Sequence, residues 1–320
     1  MAKVDQSMSD QLSHTHHIFR AHQELLEDTV RNRAFYSALR KRISPESTVL
    51  DIGSGTGLWA IAAAKLGAKR VVAIERDALL AALIRNLVRE NQVGNRVEIV
   101  QGDSREITLG RDFDVIISET IGNLGFDEQI HPILIDARKR FLKRGGLLIP
   151  ASVALTAAPA HLRNRSKKIP AGVPLAYSYF NALNLNIPII LKQRSGLKLV
   201  SEPRELIRVD FDTIKKPPEL HNLTASWKLN SASDINCIAV WAQATLTEGV
   251  ELSALDAASW QPIVYMIRPF KNDRGELEFK LDLSEKGNYW TASLLSKGEQ
   301  ETRAYSPVLA YAALQGHMKG

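Results

Sequence analysis

Acidic side chains follow several short apolar segments in the first half of this 320-residue chain, where they could bind hydroxyl groups or a cation. Glu75 ends VVAIE, Asp103 ends VEIVQGD and Glu119 ends FDVIISE, while Glu128 lies in the loop that continues from Glu119. A carboxylate accepts hydrogen bonds from sugar hydroxyls, and two carboxylates together suit a guanidinium because its forked donors match them. If the segments are neighbouring parallel strands, these acids meet at the sheet edge where open α/β folds bind ligands.

A glycine-rich turn precedes these acids in the segment VLDIGSGTG. Asp51 is followed by Gly53, Gly55 and Gly57 at alternate positions, ahead of a predicted helix. Glycines let the backbone turn sharply and approach a ligand closely, and a helix start offers unpaired amides. The turn therefore predicts a nucleotide-like cofactor, with a tight turn that binds nothing as the alternative. Glu75 would then accept both hydroxyls of a ribose, in either a dinucleotide or S-adenosylmethionine.

The two glutamates after the fourth apolar segment suggest a clamp for a guanidinium. Gly122 and Gly125 lie between Glu119 and Glu128 and allow the tight reversal that would bring the two acids face to face. Paired carboxylates are costly unless a cation or a proton lies between them. Our hypothesis is that Glu119 holds the charge and Glu128 localises or accepts the proton. The alternatives are an amino-group ligand for Glu119 and an ordinary helix-start acid for Glu128.

The elements that must position these residues follow from the apolar pattern. Short apolar runs alternate with helix-like stretches, which predicts a doubly wound parallel sheet covered on both faces. The predicted strands are 49–53, 71–75, 97–103, 113–119 and 147–150. After Pro150 the alternating segments 205–211, 237–246 and 276–283 predict antiparallel strands in a β sandwich or barrel. Residues 22–39 are predicted to form one amphipathic helix.

Composition excludes several classes of protein. The chain has 41 Lys and Arg against 35 Asp and Glu, a net charge of +6, but the basic residues are scattered, which disfavours sequence-reading nucleic-acid binding. No apolar stretch approaches about 18 residues, so no transmembrane helix is predicted. One cysteine, Cys237, predicts neither a disulfide nor a cysteine metal site, and no other metal site is predicted. We expect a cytoplasmic protein. His14, His16 and His17 form H-x-H-H, which we interpret as a disordered or fraying leader and not as a metal site.

Over residues 49–150 the chain resembles the class I S-adenosylmethionine-dependent methyltransferases. The resemblance rests on VLDIGSGTG with its G-x-G-x-G spacing, on the acid ending the second strand and on QGDSRE ending the third. It implies S-adenosyl-L-methionine as the cofactor, with Asp103 near the adenine edge. The implied cofactor-binding residues are His22, Arg31, Asp51, Gly53, Gly55, Gly57, Glu75, Asp103, Ser104 and Glu119.

The loop S-E-x-x-G-x-x-x-x-x-E is similar to the double-E loop of the protein arginine methyltransferases, and this likeness covers most of the chain. It implies an N-terminal segment at 1–48 that covers the cofactor, a Rossmann-like domain at 49–150 and a β-barrel domain at 151–320. Arg31 would pair with the methionine carboxylate of the cofactor, and its spacing from Glu24 places both on one helix face. A solvated arginine is the alternative. The implied catalytic residues are Glu119, Glu128, Ser259 and Trp260.

The chain departs from the family pattern at two positions. Ala258-Ser259-Trp260 stands where most members have Thr-His-Trp, and Thr120 stands where a large residue is usual. A Ser-Trp pair and the GDSRE stretch are similar to the symmetric-dimethylating branch. A serine cannot form the charged pair that a histidine forms, so we expect Ser259 to orient the acids less strongly.

The sequence leaves both the methyl acceptor and the oligomeric state open. The family resemblance implies a protein or peptide substrate with arginine, and a homodimer if residues 163–187 form the arm that grips a partner. A surface excursion is the alternative for that segment. Two rival functions are a methyltransferase for a small guanidino or amino compound or a non-arginine protein site, and a non-catalytic cofactor-binding subunit. Retention of both Glu119 and Glu128 argues against the second rival.

Overall fold

The computed structural model describes residues 6–163, 183, 185–192, 196–232, 234–283 and 288–309, with side chains from residue 13 onward. The helices are α1 Gln6–Glu27, α2 Thr29–Arg42, α3 Leu58–Lys65, α4 Ala78–Glu90 and α5 Ile130–Arg140. The strands are β1 Thr48–Ile52, β2 Arg70–Glu75, β3 Val97–Gln101, β4 Phe113–Ile117, β5 Leu142–Ile149, β6 Ser152–Leu162, β7 Ile189–Ile190, β8 Leu197–Leu199, β9 Arg204–Asp210, β10 Leu223–Leu229, β11 Cys237–Thr247, β12 Val250–Ser253, β13 Ile263–Met266, β14 Gly275–Asp282, β15 Tyr289–Ser296 and β16 Glu299–Tyr305.

The chain divides into two compact units. The first comprises residues 1–153, 209–217 and 243–260, and the second comprises residues 154–208, 218–242 and 261–320. Residues 209–217 and 243–260 therefore cluster with the N-terminal part of the chain although they follow Pro150. The domain boundaries expected at residues 48 and 150 stay predictions. The segment 163–187, considered above as a dimerisation arm, lies largely outside the described residues.

The first unit contains the predicted doubly wound sheet. Its strands run in the order β3-β2-β1-β4-β5, and the pairs β1–β2, β1–β4, β2–β3 and β4–β5 are parallel. Val49, Leu50, Val71 and Val72 are all fully buried, as expected for strands covered on both faces. The order reverses at β1, so the ends of β1 and β4 border the crevice where such sheets bind ligands.

The N-terminal helical region differs from the single helix predicted at 22–39. The helix is interrupted at Asp28, whose side chain accepts a hydrogen bond from the Arg31 amide and so caps a new helix, α2. Glu24 and Arg31 therefore lie in different helices, and the prediction that they share one helix face is wrong. The expectation of a fraying leader at His14 is also wrong, because this residue lies inside α1 and pairs with Asp77 at 3.0 Å.

The second unit carries antiparallel sheets, as predicted. One sheet has the order β10-β14-β15-β16, and another, which lies mostly in this unit, has the order β7-β13-β11-β6-β8 with β9 beside β6. Strand β12 pairs with residues 243–247 of β11 inside the first unit. In β14, Leu277, Phe279 and Leu281 are fully buried while the residues between them are more exposed, which is the alternation of a sheet with one buried face. Within the described residues, no helix is long and apolar enough to cross a membrane.

Candidate active site

The turn after β1 has the backbone that only glycine adopts easily. Gly53, Gly55 and Gly57 have φ values of +71°, +56° and +78°. A Cβ atom at Gly55 would lie 2.6 Å from the His22 ring, and one at Gly53 would lie 2.9 Å from Thr120. Side chains at these positions would thus be both strained and obstructed. The result is an open backbone surface at the head of α3, with His22 of α1 packed against it.

Asp51 is buried beneath this turn. Its Oδ2 accepts a hydrogen bond of 3.1 Å from the Ala60 amide in α3, and its Oδ1 has no hydrogen-bond partner in the described part of the chain. Burial raises the pKa of Asp51 to about 7, an effect to which the charges of Glu75 and Glu119 add. The carboxyl group therefore binds the first turn of α3, and burial disfavours its charged form.

Glu75, at the end of β2, is held by two backbone amides. The amide of Gly55 donates to Oε2 and the amide of Asp77 donates to Oε1, each at 2.8 Å. An ionised carboxylate has about four acceptor positions, so each oxygen of Glu75 can still accept one bond. This arrangement fixes the orientation of the carboxylate in the cavity wall, and its predicted contact with ribose hydroxyls stays a prediction.

The loop after β3 places Asp103 and Ser104 in the same wall. Asp103 accepts hydrogen bonds from the Arg105 amide at 2.9 Å and from the Arg105 guanidinium at 3.0 and 2.6 Å. These bonds lower the pKa of Asp103 to about 2. Ser104 is buried and also lines the cavity. The sequence analysis did not assign Arg105 to the site. An arginine two residues after an aspartate is near enough along the chain for its guanidinium to bind that carboxylate.

Glu119, just beyond β4, is bound through both carboxylate oxygens. Nη1 of Arg31 donates to Oε2 at 2.5 Å, and Nε1 of Trp260 donates to Oε1 at 3.0 Å. Arg31 is 2% exposed, so the solvated arginine considered above is wrong. Burial raises the pKa of Glu119, while Arg31 and Trp260 act in the opposite direction. These contacts bring together Arg31, Glu119 and Trp260, three residues that the sequence analysis assigned to the site.

Asp28 is a site residue that the sequence analysis missed. Its Oδ2 accepts hydrogen bonds from both the amide and the hydroxyl of Ser259, each at 2.7 Å, while its Oδ1 caps α2 through the Arg31 amide at 3.0 Å. Burial alone would raise the pKa of Asp28, but the bonds from Ser259 and Arg31 outweigh it and the pKa is lowered. The available signal was an aspartate three residues before a helical arginine, the position of an N-cap.

Glu128 lies in the same cavity as Glu119, but with fewer contacts. Partial burial and the negative charges of Glu119 and Asp127 raise the pKa of Glu128 to about 7. Asp127, which was not predicted as a site residue, also lines the cavity and accepts a hydrogen bond from the Leu124 amide at 3.2 Å. Close approach of Asp127 is possible because Gly122 has no Cβ atom, which would otherwise overlap this carboxylate.

These residues surround a cavity of about 840 Å³ within the first unit. Of the predicted site residues, those that line it are His22, Gly53, Gly55, Glu75, Asp103, Ser104, Glu119, Glu128, Ser259 and Trp260. Arg31 lines a smaller adjoining space of about 50 Å³, while Asp51 and Gly57 line neither space. The open glycine backbone and the carboxylates with spare acceptor positions fit a nucleoside, and S-adenosylmethionine meets that description. No cluster of metal-binding side chains occurs among the described residues.

One protein-family model matches part of the chain. The family model described as "Ribosomal protein L11 methyltransferase (PrmA)" matches residues 34–155, which include the glycine turn and all strands of the parallel sheet.

Curated relatives are named as arginine methyltransferases. The chain is 30% identical over 224 residues to "Probable protein arginine N-methyltransferase 6.1" of Oryza sativa subsp. indica, a match that covers 66% of this chain and 57% of that protein. It is 28% identical over 242 residues to "Arginine N(omega)-methyltransferase" of Streptomyces achromogenes subsp. streptozoticus, which covers 73% and 66% of the two chains. It is 35% identical over 155 residues to "Protein arginine N-methyltransferase 1" of Chlamydomonas reinhardtii, covering 48% and 45%. The chain thus spans about half to two thirds of the length of these relatives.

Solved structures share the fold. The "Trypanosoma brucei PRMT1 enzyme-prozyme heterotetrameric complex with AdoHcy" matches with a TM-score of 0.75 and 21% identity, covering 89% of this chain and 96% of that chain. Protein arginine methyltransferase 10 of Arabidopsis thaliana matches with a TM-score of 0.71 and 20% identity over the same shares.

Proposed function

We propose that the chain is a protein arginine methyltransferase, which transfers a methyl group from S-adenosylmethionine to a guanidino nitrogen of arginine. One observation carries the proposal: Glu119 and Glu128 line a single cavity with the glycine turn of a class I methyltransferase sheet. A carboxylate pair beside a cofactor cradle is suited to holding a cationic acceptor where it can be methylated.

We assign the cofactor to the sheet side of the cavity. The turn at Gly53 and Gly55 and the carboxylate of Glu75 would hold its ribose, and the loop at Asp103 and Ser104 would border its adenine. When bound, S-adenosylmethionine supplies a methyl group on a cationic sulfur that keeps the electron pair of the bond that breaks. Arg31 would lie toward the methionine carboxylate, and its ion pair with Glu119 keeps its guanidinium fixed.

Glu119 and Glu128 divide the work on the acceptor in this proposal. Glu119 is oriented by Arg31 and Trp260 and would hold a guanidinium in one place. Glu128, with a pKa of about 7, would take up the proton that the nitrogen loses as it is methylated, because a base titrating near the working pH does this best. Ser259 contributes by fixing the segment that carries Trp260, through its bonds to Asp28.

Transfer of labelled methyl groups to arginine-rich peptides tests the proposal. We expect methylarginine in hydrolysed peptides from the wild type, and a loss of at least a hundredfold in Glu128→Gln. Asp112→Asn, on an exposed loop outside the cavity, is the control and should keep full activity. Retention of most transfer by Glu128→Gln would contradict the assigned role of Glu128.

A second candidate is a methyltransferase for a small guanidino compound. It is favoured by the match to the Streptomyces protein, which is named arginine N(omega)-methyltransferase and not protein arginine methyltransferase. Free arginine and an arginine-rich peptide should be offered at equal concentrations in one labelling reaction. Label in free arginine alone would replace the protein acceptor with the small molecule and leave the cavity assignments unchanged.

We further propose a homodimer in the cytoplasm, the assembly that the family resemblance implies. The Trypanosoma brucei PRMT1 with this fold forms an enzyme-prozyme heterotetrameric complex, so a partner subunit is the alternative. Sedimentation velocity on the purified chain, followed by the labelling reaction, distinguishes them: a dimer with activity supports the first, and an inactive chain that still binds the cofactor supports the second.

A further inference from the structure

The loop that follows β3 is tied to α5 by a single arginine. Arg140, the last residue of α5, donates from Nη1 to the Ile107 carbonyl and from Nη2 to the Ser104 carbonyl, each at 2.6 Å. Its Nε lies 2.9 and 3.0 Å from the two carboxylate oxygens of Asp136, one helical turn earlier. The guanidinium thus reaches two points of the loop while its own helix holds it in place.

The geometry of this contact requires the arginine fork. A guanidinium has five donors in one plane, whereas a lysine ammonium is a point charge on a flexible stem and cannot hold two separate carbonyls in fixed directions. The Arg140 side chain is about one third exposed, and its guanidinium stacks 4.2 Å from the Phe141 ring centroid. The hydrogen bonds that Arg140 donates to Asp136 raise the pKa of Arg140 above its already high value, so the fork is always charged.

The loop that Arg140 holds forms one wall of the cavity. Its own turn is closed by bonds from the Glu106 and Ile107 amides to the Asp103 carbonyl, at 3.0 and 3.2 Å. Asp103, Ser104 and Arg105 all line the cavity, while Arg140 does not. Fixing the Ser104 carbonyl therefore fixes the wall from behind, without any contact to a ligand.

We propose that Arg140 is a positioning residue for the nucleobase end of the cofactor. It holds the Asp103–Ile107 loop in the conformation that receives the adenine. This inference rests on the proposed function, because the adenine is assigned to this loop there. Glu119 and Glu128, the acids assigned to the acceptor, do not lie in this loop. Removing the Arg140 guanidinium should therefore change the affinity for the cofactor and leave the rate of methyl transfer unchanged.

Calorimetric binding of S-adenosylhomocysteine and of adenosine tests this, together with hydrogen exchange of the ligand-free protein. In Arg140→Ala we expect both dissociation constants to rise about tenfold, and amides of residues 104–107 to exchange faster. KM for the cofactor should rise while kcat stays within about twofold. Arg140→Lys should give values between those of the wild type and of Arg140→Ala. Asp136→Asn keeps the Arg140 guanidinium but removes the charge that holds it in place, so this variant should show the same changes more weakly. Lys139→Ala, the exposed neighbour, is the matched control.

The outcomes separate this inference from the proposed function. Unchanged binding and exchange in both Arg140→Ala and Asp136→Asn would overturn it. An equal rise in exchange across the whole first unit would also overturn it, since that marks general loosening. If the wild type binds neither probe, the proposed function fails and this inference fails with it, whereas wild-type binding that is unchanged in Arg140→Ala overturns the inference alone.

Discussion

Two buried side chains bind Glu119, and we expect the loss of one to have a different effect from the loss of the other. Arg31 neutralises its charge, whereas Trp260 orients one oxygen without altering charge. Removing one partner of a buried ion pair is far more damaging than removing both, because an isolated charge remains away from water.

Arg31→Met should therefore lower the free energy of unfolding by about 3 to 5 kcal/mol. The double variant Arg31→Met, Glu119→Gln should recover much of that loss, since no unpaired charge remains. Urea denaturation measures both, with the exposed Arg33→Met as the control. A double variant less stable than Arg31→Met would show that the ion pair itself stabilises the fold.

The pH dependence of methyl transfer should report on Glu128. Its pKa of about 7 means that it is neutral in acid and ionised in base, so kcat/KM should rise through pH 7 and then level off. Asp127→Asn removes a like charge and should move this rise to lower pH. Initial rates between pH 5.5 and 9 measure it, and the same midpoint in both proteins would argue that another group titrates.

At this scale the sequence indicated where the acids lie, but not their partners. Glu75 is the last residue of β2, and Asp103 and Glu119 lie just beyond β3 and β4, so all three are at the edge that the ends of parallel strands share; their roles stay predictions. Asp28 and Arg105 were not predicted as site residues because their contacts depend on the loop conformation. Asp28 meets a residue 231 positions away, and no local pattern specifies such a pairing.

Among the elements, the break between α1 and α2 matters most for the site. It turns the chain so that Arg31, in the first turn of α2, is directed at Glu119. The residues of α1 that line the cavity are His14, Ile18, His22 and Leu25. A continuous amphipathic helix was predicted there because the apolar spacing persists across Asp28. The aspartate overrides that spacing, since its carboxylate satisfies an amide at a new helix start and also binds Ser259.

Asp28→Ala should consequently destabilise the protein more than Ser259→Ala. The first loses the cap and both bonds to Ser259, about 2 to 3 kcal/mol, and the second loses only the hydroxyl bond, about 1 kcal/mol. Chemical denaturation gives both values. Equal losses would mean that the cap contributes nothing and that the hydroxyl carries the whole contact.

For the whole molecule, the parallel sheet was predictable and the division into units was not. Apolar runs separated by helical patterns permit little except a doubly wound sheet. Assignment of residues 209–217 and 243–260 to the first unit depends on long-range packing, which alternation within a single strand does not reveal.

The stability of the molecule should fall as pH rises from about 4 to 7 because of Asp51. Its folded pKa is about 7 against an ordinary value near 4, so the folded protein binds a proton that the unfolded chain releases. The contribution is complete below the unfolded pKa and lost as pH passes the folded one. Asp51→Asn should flatten this dependence in urea titrations at pH 5 and pH 8, whereas the exposed Asp112→Asn should not. The same slope in Asp51→Asn and the wild type would assign it to other groups.

The hydrogen bond from the Trp260 indole to Glu119 gives the cavity its own optical reporter. An indole's emission responds to charge beside its ring nitrogen, and this one lies 3.0 Å from a carboxylate oxygen. A molecule that draws Glu119 toward itself must alter that charge and so shift the fluorescence, whether or not any reaction follows. Trp260→Phe would abolish the signal, which lets occupancy be followed in real time, without a label, in a chain with 5 tryptophans.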